Sequence, residues 1–327
     1  MFKILFNTIL GIVLIYIWSR FVDLPQIMLT ISKVNLFYLL PIFLLMLLSP
    51  IIRAVRLKIF LAEIKKISLK DLIFLNGVAM ILNFFIPIRA GEVAKGIYLN
   101  TEYSLNLGKS IVWIFLDRFV DFLVVLLLAG VFLFLIPTSL NTTVINVITI
   151  MLILTLLLTY LAVFQLDFSG KIISFLRPLL IEKHIKIYFD RLTSFILDSF
   201  SILDRHPKDL SFMVLLTVLA YGVDAGIWYF SFLSLGMKMD FLKMYLGQLL
   251  SALTYLIPAA PGYVGSAEAS GLLILSGVFG VGANLASAMI VLFHIISAVF
   301  VLVYGLISIF SLKIDLNLIL KKALKRA

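Results

Sequence analysis

The sequence predicts an all-α, polytopic membrane protein. Three observations carry that reading. Of 327 residues, 63% are hydrophobic and only 13% are charged, against roughly 25% charged in a soluble domain. The mean hydropathy is +1.17. The apolar residues also fall into runs of about 20, the length of a membrane-crossing helix, rather than into the alternation of half-buried strands. A single water-soluble globule cannot hide that much apolar surface, so the soluble-enzyme classes are excluded. No cysteine is present, which excludes thiol catalysis, disulfides and Cys-ligated metal.

Six runs read as spans: Ile4 to Val22, Asn35 to Lys58, Leu105 to Ile136, Thr143 to Gln165, Leu210 to Leu235 and Asn284 to Leu312. The first ends in Trp18-Ser19-Arg20, which is no small-residue cleavage site, so a retained span is expected. Two further apolar segments, Leu69 to Ile86 and Phe241 to Ile257, each end in a proline-glycine break. The breaks read Pro87-Ile88-Arg89-Ala90-Gly91-Glu92 and Pro258-Ala259-Ala260-Pro261-Gly262. Proline interrupts the helical ladder, and freed backbone at membrane depth survives only where protein or water satisfies it. These segments are candidates for re-entrant hairpins, two full crossings being the alternative, which gives six to eight transmembrane helices.

Charge sets the expected topology. Arg53, Arg56, Lys58, Lys65, Lys66 and Lys70 cluster at and beyond the end of the second run, and Lys321, Lys322, Lys325 and Arg326 follow the last. Excess Lys and Arg mark cytoplasmic loops. The net charge of +10 is therefore a topology signal, and nucleic acid drops out as a partner. Both termini are expected in the cytoplasm of a multi-pass cell-membrane protein. Within the cytoplasmic segment 166–209, Leu192, Phe195, Ile196, Phe200 and Leu203 recur at helical spacing, an amphipathic connector.

An internal repeat accompanies the breaks. A shift of 171 residues lays Leu82, Phe84, Ile86, Pro87, Gly91 and Val93 on Leu253, Tyr255, Ile257, Pro258, Gly262 and Val264. Residues 1–136 and 143–312 then form two halves of one membrane domain. With one hairpin entering from each side they make an inverted repeat, a common way to build a midplane transport site.

Charges inside spans cost roughly 2.5–3.5 kcal/mol each on insertion scales, so each needs an account. Arg118 lies roughly 13 Å along its helix from Lys109, too deep for easy snorkelling. It can pair with Asp121 at i, i+3, whereas Asp117 and Asp121 at i, i+4 repel unless a cation shares them. Arg89, Glu92 and Lys95 form a one-faced row after the first break, at a helix N-terminus that favours phosphate, and Gly91 there would let a headgroup approach. After the second break come Gly262, Gly265 and Glu268, with Asp224 in the preceding span. Asp224 and Glu268 have no basic neighbour in sequence and need a partner from another helix, a cation or a proton. His294 reads as a satisfied hydrogen-bonding residue. No catalytic, nucleotide-binding or metal motif appears, and no cofactor or metal is expected.

Four runs together resemble a known family: Arg53-Ala54-Val55-Arg56; Asn83-(x3)-Pro87-Ile88-Arg89-Ala90-Gly91-Glu92-(x2)-Lys95; Asp117-Arg118-(x2)-Asp121; and Pro258-(x2)-Pro261-Gly262-(x2)-Gly265-(x2)-Glu268. In this order they resemble the lysylphosphatidylglycerol synthase transmembrane family, or flippase-like domain proteins, over nearly the whole chain. The resemblance implies movement of a modified phospholipid or isoprenoid-linked lipid between leaflets. Its partners would be lipids with anionic, aminoacylated or polyprenyl-linked headgroups, and a separate lipid synthase; a homo-oligomer is compatible with it. Asp117 stands where the family more usually has Glu, and His294 where Arg is expected, so no headgroup role carries over to His294. Only the translocation module is implied, without a soluble aminoacyltransferase or glycosyltransferase domain. The candidate site is Arg89, Gly91, Glu92, Asp117, Arg118, Asp121, Asp224, Gly262, Gly265 and Glu268. The alternatives are an intramembrane lipid-modifying enzyme and a non-transporting partner of a synthase.

Overall fold

The computed structural model describes residues 2–62, 64–86, 90–179, 207–254 and 260–314, with scattered positions between 182 and 194. All the regular structure described is helical. The helices are α1 (Phe2–Ser19), α2 (Leu24–Ser32), α3 (Leu39–Ala62), α4 (Leu69–Phe85), α5 (Ala90–Tyr103), α6 (Leu107–Leu135), α7 (Thr142–Phe164), α8 (Leu166–Leu176), α9 (Pro207–Ser234), α10 (Phe241–Thr254), α11 (Ser266–Leu272) and α12 (Ala283–Ser311). A π-helical turn, Leu273–Val278, continues α11. Among the described residues, α3, α6, α9 and α12 are long and apolar enough to cross a membrane. A fifth candidate is the pair α1–α2, bent by 87° at the break between them. The bend has a local cause: the Asp23 carboxylate caps α2 by accepting from the Gln26 N–H at 3.1 Å, while the Asp23 N–H donates to Asn284 at the start of α12.

Both broken segments fold back on themselves. The Tyr103 hydroxyl, at the end of α5, donates to Asp71 at 2.5 Å and accepts from the Ser68 N–H at 3.3 Å, at the start of α4. The two ends of the segment 69–103 thus lie together, as a re-entrant hairpin requires. The turn is tight because Gly91 lies against the backbone of α4: a Cβ there would sit 2.2 Å from the Ala79 carbonyl oxygen. In the second hairpin Gly247 of α10 faces Phe279, and Leu246 and Leu249 pack in one core with Leu275 and Val278. The tips of the two hairpins meet, with the Phe84 and Tyr263 rings 6.2 Å apart. At the second tip Gly262 and Gly265 have φ of +70° and +82°, a region open to glycine. A Cβ on Gly265 would lie 2.1 Å from the Gly11 carbonyl oxygen of α1.

Helices α3 and α9 run antiparallel. The Asn35 N–H, just before α3, donates to the Ser234 carbonyl at the end of α9. At the other end Arg56 reaches Thr217. The 171-residue shift carries 39–62 onto 210–233 and 69–85 onto 240–256, close to the bounds of α9 and α10. Arg53 and Asp224, which form an ion pair, are themselves 171 residues apart. The hairpins are also exchanged, α4 packing on α12 and α10 on α6.

One topology assignment changes. Arg53 and Arg56 are not loop charges: both lie within α3, and Arg56 is 1% exposed. Their long side chains point into the bundle, where carboxylates hold them, so the basic cluster behind the expected topology is reduced to Lys58, Lys65, Lys66 and Lys70, all exposed. Leu192, Phe195, Ile196, Phe200 and Leu203 of the expected amphipathic connector, and the basic tail, lie outside the described residues.

Two predictions follow from this geometry. In a chain without cysteine, single substitutions Lys66→Cys and Lys109→Cys react with an impermeant maleimide from one side, and Lys33→Cys and Lys238→Cys from the other. Labelling of positions 66 and 109 from opposite sides would show that 69–103 crosses. In addition, Gly91→Ala and Gly265→Ala each lower stability by about 1–3 kcal/mol through overpacking, read as thermal unfolding in detergent. Gly282→Ala, which meets open space, leaves the midpoint unchanged.

Candidate functional site

The costly charges gather into two groups. The larger is built around Arg56 of α3. Its guanidinium donates through Nε to Asp117 Oδ1 at 2.9 Å and through Nη2 to Asp117 Oδ2 at 3.0 Å, a bidentate pair. Through Nη1 it donates to Asp121 and to Thr217 Oγ1 of α9. The i, i+4 carboxylates of α6 therefore do share a cation, and that cation is Arg56. Asp117 is 1% exposed and Asp121 7%. A buried charge persists only when paired and hydrogen-bonded, and the planar guanidinium fork satisfies two carboxylates at once.

Arg118, the next residue along α6, donates to Asp117 Oδ2 through Nε and Nη2 at 3.2 and 2.8 Å. Its Nη1 lies 3.6 Å from Asp121 Oδ2, an ion-pair distance too long for a hydrogen bond. Its side chain is 21% exposed. Arg118 is thus held in place on one edge and open on the other. On α5, Glu92 and Lys95 are buried, with Oε2 and Nζ 3.3 Å apart. That pair lacks hydrogen-bond geometry, and Glu92 Oε2 is a buried acceptor without a hydrogen-bond partner. Both residues interact electrostatically with α6, Lys95 with Asp117 and Glu92 with Arg118.

The group continues through Arg53, whose Nη2 donates to Asp224 Oδ2 of α9 at 2.6 Å. Its Nη1 donates to Ser49, and the Ser49 hydroxyl donates to Asp224 Oδ1 at 2.7 Å. The Arg53 guanidinium also lies 5.5 Å from the centre of the Tyr221 ring, a cation–π distance. Asp224 therefore finds its partner on another helix. Four cations (Arg53, Arg56, Lys95, Arg118) face four carboxylates (Glu92, Asp117, Asp121, Asp224).

The smaller group closes the second hairpin tip. His294 of α12 sits with Nδ1 2.5 Å from Glu268 Oε1 and Nε2 2.7 Å from the Gly262 carbonyl oxygen. The Gly265 N–H donates to Glu268 Oε2 at 2.7 Å. His294 is a satisfied hydrogen-bonding residue, and it is also the partner that Glu268 needed.

The expected residues fare differently. Glu92, Asp117, Arg118, Asp121 and Asp224 come together; Glu268 and Gly262 lie in the second group; Arg89 lies outside the described residues. Gly91 and Gly265 serve close packing against Ala79 and Gly11 instead of headgroup approach. The Gly91 N–H is taken by the Asn83 side chain at 2.8 Å. Sequence reasoning missed Arg53 and Arg56 as site residues. Their spacing held a signal, because i, i+3 on a helix places both on one face, toward the same neighbours.

The family profile of the lysylphosphatidylglycerol synthase transmembrane region matches residues 4–305, and the chain belongs to that family. No curated protein matches it.

Removing Arg56 leaves two buried carboxylates without their shared cation. Arg56→Met is expected to cost about 3–5 kcal/mol, seen as a lowered thermal midpoint in detergent. Arg118→Gln costs less, because Arg56 still holds Asp117. Equal midpoints for wild type and Arg56→Met would contradict this assignment.

Proposed function

We propose that the protein moves a phosphate-bearing membrane lipid between leaflets, the headgroup passing along the charged face of α3, α5, α6 and α9. The observation that carries this reading is the half-open Arg118, placed beside the under-bonded Glu92–Lys95 pair. Its Nη1 offers N–H donors to a phosphate, while Glu92 Oε2, ion-paired to Lys95 but without a hydrogen bond, offers an acceptor to a headgroup amine. A network of alternating signs suits a headgroup that carries both, such as an aminoacylated phospholipid. Membership of a family named for a lipid synthase's membrane region supports the lipid as substrate class.

The two hairpins give the path a means of opening. Broken segments meeting from opposite sides, each held by the other half's last span, let one half rock against the other around a fixed site. The Phe84–Tyr263 contact then separates the polar group of one side from that of the other. On the charge-derived topology the Arg56 group faces the cytoplasm, with both termini on that side.

Purified protein in liposomes tests the reading. Lysyl-phosphatidylglycerol with a fluorescent acyl chain, loaded symmetrically, becomes accessible to an impermeant quencher or amine reagent beyond the outer-leaflet half. Arg118→Gln and Glu92→Gln each slow that movement at least tenfold, while folded yield stays near wild type. No movement of aminoacylated, isoprenoid-linked or plain phospholipid would overturn the reading. A new lipid species by mass spectrometry would favour an intramembrane enzyme.

A further inference from the structure

His294 has an acceptor at each ring nitrogen. Nε2 lies 2.7 Å from the Gly262 carbonyl oxygen, which only accepts, and Nδ1 lies 2.5 Å from a carboxylate oxygen of Glu268. A neutral imidazole carries one N–H. With that hydrogen on Nε2, the Nδ1 lone pair would face an ionised carboxylate at contact distance; with it on Nδ1, the Nε2 lone pair would face the carbonyl. Either arrangement sets two acceptors against each other. The observed geometry needs one more proton, as imidazolium with carboxylate or as neutral imidazole with carboxylic acid.

We propose that His294 and Glu268 bind a proton that latches the second hairpin tip onto α12, and that this proton is the coupling ion for lipid movement. Binding adds one H⁺ to a neutral histidine and a carboxylate; release returns it to water and breaks one of the two contacts. The second half of the proposal rests on the function proposed above; the first half does not.

The surroundings fit a dedicated proton site. The electrostatic partners of the pair are each other and the backbone groups of Gly262 and Gly265. The neighbouring elements bring no charged side chain to their contacts among the described residues. α1 touches the tip through Gly11 and α4 through Phe84. α11 and α12 meet at Gly271 and Ile290, and α9 places Trp228 against Phe293. The tip itself carries the Tyr263 phenol. The Arg56 group is occupied by its own four carboxylates and leaves this pair to hold its own charge.

The latch is connected to the parts that would move. Glu268 also fixes the Gly265 N–H, Gly265 abuts α1, and Tyr263 meets Phe84 on the other hairpin. Loss of the proton as pH rises therefore frees backbone 262–265 from α12 and loosens the contact between the two tips.

The chain's histidines are His184, His206 and His294. The variant His184→Gln/His206→Gln leaves His294 as the sole signal for ¹⁵N-histidine solid-state NMR in bilayers. At pH 7 the proposal expects either two protonated ring nitrogens, or one together with a protonated-carboxyl infrared band that shifts in D₂O. Raising the pH removes one proton and speeds amide exchange at 260–265. A single ring N–H with no protonated carboxyl at pH 7 overturns the latch. Coupling is read on the wild-type chain in liposomes. A gradient of one pH unit redistributes the lipid up to about tenfold for one proton per lipid. Lipid that moves but ignores the gradient overturns coupling and leaves the lipid function standing. A proton seen by NMR with no lipid movement overturns the lipid function and leaves the proton site standing.

Discussion

One guanidinium, that of Arg56, sets the terms for the rest of the bundle. It is buried, so it cannot remain there without carboxylates, and the carboxylates of Asp117 and Asp121 cannot remain without it. Taking ions out of water costs several kcal/mol each, and only good geometry offsets that. The requirement binds α3 to α6, and Thr217 adds α9. Asp117 accepts from Arg56 on both oxygens and from Arg118 on Oδ2, and Arg118 keeps its Nη1 edge outside hydrogen-bond range of Asp121. Structure and proposed function thus share one cause: the pairing that stabilises the bundle also leaves one cation available.

The same accounting explains what the sequence could and could not disclose. The spans α3, α6, α9 and α12 were visible in hydropathy, since membrane helices must satisfy their own backbone and are long and apolar. The hairpins were visible in Pro87-Gly91 and Pro261-Gly262, since breaks at depth are rare. The pairings were not visible. Arg56 and Asp117 are 61 residues apart and Arg53 and Asp224 171, so only the fold joins them. Arg53 and Arg56 read as loop charges in the sequence because they stand at the head of a Lys-rich stretch. Linear position does not tell a snorkelling arginine from one turned inward. For Gly91 and Gly265, a glycine that admits a ligand and one that admits a neighbouring backbone look alike in sequence. The approach of Ala79 and Gly11 distinguishes them.

The two polar groups differ in build. The Arg56 group is broad, charge-balanced and partly open, as a headgroup path would be. The His294–Glu268 pair is small and closed, and it holds a loop tip whose glycines permit the turn. Two aromatic rings stand at the meeting point of the hairpins, Phe84 also lying against Gly262. A bundle in which each hairpin leans on the other half's last span cannot loosen one tip without disturbing the other, which links the small group to the large one.

The proposed function requires that Arg118 and its neighbours receive a lipid headgroup. Native mass spectrometry of the detergent-purified protein tests it most directly. The account predicts a phosphate-bearing lipid retained at one per chain by the wild type and lost on Arg118→Gln in protein that still unfolds cooperatively. Equal lipid retention by the two proteins would contradict it.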